Sequence, residues 1–154
     1  MGKRIYFEES RCTCCHLCSM FCSLVFGQKG VYEVRPAIAR IRATESSDTT
    51  RYVAHVCLQC DSPACADACP VEAISVDADT GVVLIDEEIC TGCGSCVDAC
   101  EFGGVFMVEE KAVKCEVCDD PLCVKACAEK ALRLVDTDWD SMRDQRNLYK
   151  EVPL

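Results

Sequence analysis

Apolar and polar residues alternate through Ala37-Ile-Ala-Arg-Ile-Arg42, the period of a strand with one buried face. The polar turn Glu45-Ser-Ser-Asp-Thr-Thr50 follows, and Arg51–Val56 returns, so residues 31–52 read as an inserted hairpin. Two β-rich runs, Ala73–Val76 and Val82–Ile85, flank Asp77-Ala-Asp-Thr-Gly81 and predict a second hairpin, with Gly81 supplying a positive φ at its end. A third hairpin joins Val105–Val108 to Ala112–Lys114 across Glu109-Glu110, and Ala131–Val135 resembles a closing strand. In the tail, Trp139, Met142, Arg146 and Tyr149 recur at spacings of three and four, which puts them on one helical face; Pro153 ends such a helix.

Composition changes this picture of small elements in one respect. The chain has 154 residues, half of them hydrophobic, but 17 of those are cysteines and only ten are Phe, Tyr or Trp. So dense a set of thiols means disulfides or metal sites. The start, Met1-Gly-Lys-Arg-Ile-Tyr-Phe-Glu-Glu, has no apolar export core and no twin-arginine pair, so the expected location is the cytoplasm, where such cysteines are metal ligands. No run approaches 18 uncharged apolar residues, so no membrane span is expected. The net charge of −10 argues against nucleic acid as a partner.

Sixteen of the cysteines fall into four motifs. The first is Cys12-x2-Cys15-x2-Cys18-x3-Cys22, and the third repeats it as Cys90-x2-Cys93-x2-Cys96-x3-Cys100. The second is Cys57-x2-Cys60-x4-Cys65-x3-Cys69, and the fourth repeats that as Cys115-x2-Cys118-x4-Cys123-x3-Cys127. Two motif types in alternating order are an internal duplication whose unit is a pair of motifs.

A [4Fe–4S] cube needs four thiolates converging on an object larger than one ion. A C-x2-C-x2-C loop supplies three. The fourth cysteine, three residues on, has entered a short helix that points away and ligates the neighbouring cluster, so motifs work in pairs. Zinc, the competing metal, draws two separated C-x2-C knuckles into one tetrahedral site, a poor match to four cysteines within eleven to thirteen residues. Cys69-Pro70 also completes the ferredoxin-type ending, while Glu101 and Ala128 stand where proline often follows the last cysteine. The expected cofactors are therefore four [4Fe–4S] clusters. Sixteen thiolates and four oxidised cubes would take the loaded chain to a charge of about −18. Cys14 occupies the slot that Gly92 holds in the third motif and is excluded as a ligand. His16 and His55 lie beside the first and second motifs; either could hydrogen-bond a sulfur, but no motif lacks a thiolate and a structural or exposed role is the plainer reading.

The paired motifs, with Cys69-Pro-Val-Glu-Ala-Ile74 and Ile85-Asp-Glu-Glu-Ile-Cys90, resemble bacterial two-cluster ferredoxins. The chain from about residue 5 to 135 resembles the four-cluster electron-transfer subunits of molybdenum and tungsten oxidoreductases. The run Cys12–Cys22 with Ser23, followed by Pro36-Ala-Ile-Ala-Arg-Ile41, is most similar to the small subunits of bacterial tungsten aldehyde oxidoreductases. The resemblance implies an α+β fold of two pseudo-symmetric, ferredoxin-like (βαβ)2 units. Residues 53–104 would form the central unit, and 5–30 with 105–135 the outer one, together the four-cluster body of 1–135. The tail 136–154 would serve for docking. Family pairing is nested. It implies Cys12, Cys15, Cys18 and Cys127 on one cluster and Cys115, Cys118, Cys123 and Cys22 on its pair. It implies Cys57, Cys60, Cys65 and Cys100 on a third, and Cys90, Cys93, Cys96 and Cys69 on a fourth. Pairing of successive motifs remains an alternative from sequence alone.

No nucleotide loop, nucleophile–base pair or spare metal position is visible, so the expected role is a non-catalytic electron-transfer subunit. Its partners would be a large tungsten or molybdenum catalytic subunit and a second redox protein, with self-association into longer chains a further expectation. Rival readings are a free polyferredoxin serving several enzymes, the small subunit of a formate dehydrogenase, hydrogenase, carbon monoxide dehydrogenase or benzoyl-CoA reductase complex, and a zinc-dependent adaptor.

Overall fold

The fold follows from sixteen cysteine positions that leave little chain for long elements. A computed structural model describes residues 2–26, 38–46 and 51–152. In chain order these form β1 (Gly2–Phe7), a 3-10 turn (Glu9–Arg11), α1 (Leu17–Phe26), β2 (Ile41–Glu45), β3 (Tyr52–Val56), α2 (Ala64–Asp67), β4 (Ile74–Val76) and β5 (Val83–Ile85). Then come α3 (Ser95–Asp98), β6 (Val105–Val108), β7 (Lys111–Lys114), α4 (Leu122–Lys125), β8 (Leu132–Thr137), a 3-10 turn (Asp140–Met142) and α5 (Arg143–Glu151). It is a small mixed α/β structure of short helices and four two-stranded antiparallel sheets.

Three of the sheets are local hairpins. In β4–β5, Ile74 faces Ile85, and Gly81 takes φ +69° where the turn closes on Asp77. Asp77 also accepts hydrogen bonds from the Thr80 amide (2.8 Å) and hydroxyl (2.6 Å). In β6–β7 the turn residues Glu109 and Glu110 are both left-handed, the geometry that matches a two-residue turn to the strand twist. β2–β3 is the predicted insert, but its strand runs over Ile41–Glu45 rather than 37–42. Ile41 and Ala43 are buried there, and Arg40, also buried, sits in a bend just before the strand. Residues 47–50 of the expected polar turn, and Arg35, lie outside the described residues.

The fourth sheet is not local. β1 pairs with β8 in antiparallel register, Ile5 opposite Leu134 and Phe7 opposite Leu132. This joins the first strand to the last and brings the first motif beside the fourth; α1 packs on α4, as α2 packs on α3. Two apolar cores result. One gathers Ile5, Phe7, Ile41, Val53, Val56 and Leu58 with Met142, Leu148 and Tyr149 of the tail. The other gathers Ala73, Ile74, Val83, Ile85, Val105 and Ala112 around the second and third motifs.

The tail face predicted from its spacing turns inward. Met142 and Tyr149 are fully buried, and Arg146 lies over the Trp139 ring at 4.6 Å. Gln145 accepts from the Phe7 amide (3.0 Å) and donates to the Tyr149 hydroxyl (2.8 Å), which donates to the Ala54 carbonyl (2.6 Å). The apolar side of α5 is thus spent on β1 and β3. Among the described residues no helix is long and apolar enough to cross a membrane.

Candidate metal centres

The loops that carry the cysteines share one backbone device. The residue before the second cysteine is left-handed in every motif: Cys14 (φ 52°), Gln59 (54°), Gly92 (72°) and Val117 (51°). Cys14 therefore stands in the glycine-like slot read from its sequence position. Its sulfur touches His16 Nε2 at 3.7 Å.

The two motif types differ in how they enter the next helix. In the x2 type a second left-handed residue follows, His16 (φ 60°) or Gly94 (φ 81°). In the x4 type the two added residues carry the chain to a proline, Pro63 or Pro121, set in extended backbone just before α2 or α4. Both routes begin a helix one residue before the third cysteine.

The fourth cysteine has its own seat. In three motifs a left-handed residue three positions on (Glu72, Gly103, Lys130) turns the chain back. The next amide then donates to the sulfur: Ala73 to Cys69 (3.3 Å), Gly104 to Cys100 (3.3 Å) and Ala131 to Cys127 (3.2 Å). The first motif departs from this. α1 continues for ten residues, longer than the expected short helix, and Cys22 takes its amide from Arg40 (3.2 Å). Amides aimed at sulfur suit a thiolate, which accepts hydrogen bonds that a thiol accepts weakly.

Four groups of thiols come together. Cys12, Cys15, Cys18 and Cys127 line one cavity of about 170 Å³, with Cys14 on its wall. Cys90, Cys93, Cys96 and Cys69 line another. Burial raises the Cys60 thiol to about 12, with further upward pressure from Cys57, Cys100 and Cys65. Burial likewise raises Cys123, with Cys115, Cys22, Cys18 and Cys118 adding to it. The same couplings link neighbouring groups: Cys18 to Cys123, Cys57 to Cys115 and Cys65 to Cys96. The groups therefore adjoin one another in that order. In its first and last groups lie Cys15 and Cys93, the only exposed cysteines of the seventeen.

These donors fit iron–sulfur cubes. Each group offers four sulfurs, and among the described residues no three His, Cys, Asp or Glu side chains converge closely enough for a single ion. Residues 49–137 match the family model of the 4Fe–4S dicluster domain. The chain belongs to that family. It is 46% identical over 90 residues to an uncharacterized ferredoxin of Methanocaldococcus jannaschii, 57% of this chain but only 52% of that protein's length. It is 38% identical over 142 residues to the polyferredoxin-like subunit of aliphatic sulfonate oxidoreductase from Pyrococcus furiosus, 88% of this chain and 79% of the relative. In fold it is similar to a chain of the active site complex BamBC of benzoyl coenzyme A reductase, with a TM-score of 0.50 and 20% identity over 95% of this chain and 88% of that one. The chain is thus a ferredoxin-like iron–sulfur electron-transfer protein.

The remaining candidates resolve differently. His55 is buried, held below its ordinary pKa by burial, and stacks on Tyr149 with ring centres 4.8 Å apart, so it is a core residue. The described arginines of the insert, Arg40, Arg42 and Arg51, interact within the chain. Arg40 binds Glu87 (2.5 Å) and Glu116, with its guanidinium 3.8 Å from the centre of the Phe26 ring. Arg51 binds Glu9 (2.5 Å) and Glu151 (3.0 Å), which hold it protonated, and Arg42 lies over Phe106. Sequence reasoning missed Lys114 and Gln59, which are buried between the cysteine groups. A lysine directly before Cys115 was the one visible signal for the first; nothing marked the second.

Proposed function

We propose that this chain is a non-catalytic electron-transfer subunit carrying four [4Fe–4S] clusters, held by the nested sets Cys12/Cys15/Cys18/Cys127, Cys115/Cys118/Cys123/Cys22, Cys57/Cys60/Cys65/Cys100 and Cys90/Cys93/Cys96/Cys69. The observation that carries this is the linear order of the thiol groups with its two exposed ends at Cys15 and Cys93. When bound, each cluster supplies reversible one-electron chemistry. The chain contributes order and insulation: it leaves one sulfur of each end group exposed and none of either middle group. Redox partners then approach at the Cys15 and Cys93 faces.

On this reading the structure consists of two pseudo-symmetric (βαβ)2 units, the outer one closed by β1–β8. The catalytic partner is a tungsten or molybdenum subunit, with the aldehyde oxidoreductase type favoured by the resemblance of the first motif and insert. The P. furiosus relative, named as a polyferredoxin-like subunit of a sulfonate oxidoreductase, supports a permanent place in an enzyme complex. The setting is an anaerobic, reducing cytoplasm.

Anaerobic purification from the native host tests this. A large co-eluting subunit with tungsten or molybdenum is the expected result. Elution of the chain alone, loaded with iron, would instead make it a free polyferredoxin.

A further inference from the structure

The junction between the second and third thiol groups holds a buried cation. Lys114 ends β7 one residue before Cys115 and has no exposed surface. Its Nζ donates to the carbonyls of Val83 and Cys115, the latter at 2.9 Å. Among the described residues no carboxylate pairs with it. A buried ammonium is favourable only beside negative charge, which clusters in the two middle sets would supply. The Lys114 Nζ meets the Cys115 carbonyl of the second group, and Gln59, between Cys57 and Cys60 of the third, donates to that same carbonyl.

The structural tie that Lys114 makes is already made without charge. Gln59, also buried, accepts from the Val83 amide (2.8 Å) and donates to the same Cys115 carbonyl (2.7 Å). Two side chains bridge the same pair of residues. What Lys114 adds is a positive charge between two cluster sites.

We propose that Lys114 is a potential-setting residue at this junction, which favours the reduced, more negative state of the two middle clusters relative to the end clusters. The inference rests on the four-cluster reading above. A cation in a dry interior acts at short range with little screening, so it raises the two middle potentials and leaves the ends nearly unchanged. Electrons then settle in the insulated middle of the line, away from the exposed ends.

The test is an anaerobic redox titration followed by electron paramagnetic resonance, on chains whose iron has been counted. Lys114→Met is expected to keep the wild-type iron content. It should lower two of the four midpoints by at least a tenfold change in oxidised-to-reduced ratio, about 59 mV for a one-electron couple. Lys114→Arg should restore them. A shift common to all four clusters, or no shift with iron retained, would overturn the proposal. So would iron loss in both Lys114→Met and Lys114→Gln, which would make the residue structural. Too little iron for four clusters in the wild-type chain would instead defeat the underlying reading.

Discussion

The central half of the molecule and the outer half are built on the same cysteine spacings, yet they hold their sulfurs differently. In the central half, α2 and α3 are four residues each, and Cys69 and Cys100 each take an amide from four residues downstream. Each motif there completes its own seat. In the outer half only the fourth motif does so. The first runs on into the ten-residue α1, and the amide for Cys22 comes from Arg40, in the segment leading to β2. Arg40 is in turn fixed by Glu116 of the fourth motif and Glu87 of the central half. A duplicated local rule thus gives three self-contained seats, and the fourth depends on tertiary structure. The outer half should be vulnerable at positions far from any cysteine, and the central half only within its loops.

The sharpest way to break this comparison is at the shared left-handed slot. At Gly92 an added Cβ would lie 2.0 Å from the Glu110 carbonyl oxygen, and φ is +72°. Gly92→Ala should destabilise the chain by about 3 kcal/mol or more and release the iron of the cluster proposed for Cys90, Cys93, Cys96 and Cys69. In the equivalent outer slot, Cys14→Ser should keep full iron, whereas Cys12→Ser should lose most of one cluster. Iron assays on the three variants decide it; equal losses in Cys14→Ser and Cys12→Ser would refute the exclusion of Cys14.

Next in size is Arg40→Ala, which removes both ion pairs and loosens the segment that seats Cys22. Because Glu87 and Glu116 are partly solvated, the cost should be about 1–2 kcal/mol. Iron loss should be confined to the cluster assigned to Cys22. A denaturation curve with parallel iron release checks this, and iron lost first from the central half would contradict it.

These two contrasts also show what the sequence could reveal. Hairpins such as Ile74–Val76 with Val83–Ile85 were legible because strand, turn and partner lie within a dozen residues. The pairing of β1 with β8 was not, since Gly2–Phe7 has no nearby partner and its register is set across the whole chain. The spacing marked sixteen thiols as ligands of one chemistry but did not choose between nested and successive pairing. That choice depends on the same long-range contact. The length of α1 and the strand shift to Ile41–Glu45 were missed for a related reason: burial in the outer core, not local alternation, decides where those elements run. The burial of Lys114 and Gln59 was not legible because surface chemistry is the usual role of both residue types, and only packing buries them.

Proton linkage gives a smaller test. Burial pushes the thiols of Cys18 and Cys22 up to about 11 and those of Cys60 and Cys115 up to about 12. A raised thiol pKa favours the folded metal-free chain fully below the ordinary value, and that stability is lost as pH rises from about 9 toward 12. The denaturation midpoint of the metal-free chain should therefore fall over this window in both halves. The loaded chain, whose sulfurs carry iron rather than protons, should lack this fall.

The smallest effect separates the ends of the line from its middle. Hydrogen bonds from Ser95 hold the exposed Cys93 thiol below its usual value, while Cys60 is buried and raised. In the metal-free chain at neutral pH, iodoacetamide should label Cys93 at least tenfold faster than Cys60, read by peptide mass spectrometry. Comparable rates would mean that the two groups are not differently shielded.

Iron and acid-labile sulfide, counted per chain after anaerobic purification, test most directly whether all four motifs carry clusters. Four filled sets predict about sixteen irons and about sixteen sulfides. About eight of each, with the first motif's cysteines open to alkylation, would contradict it and leave a single two-cluster unit.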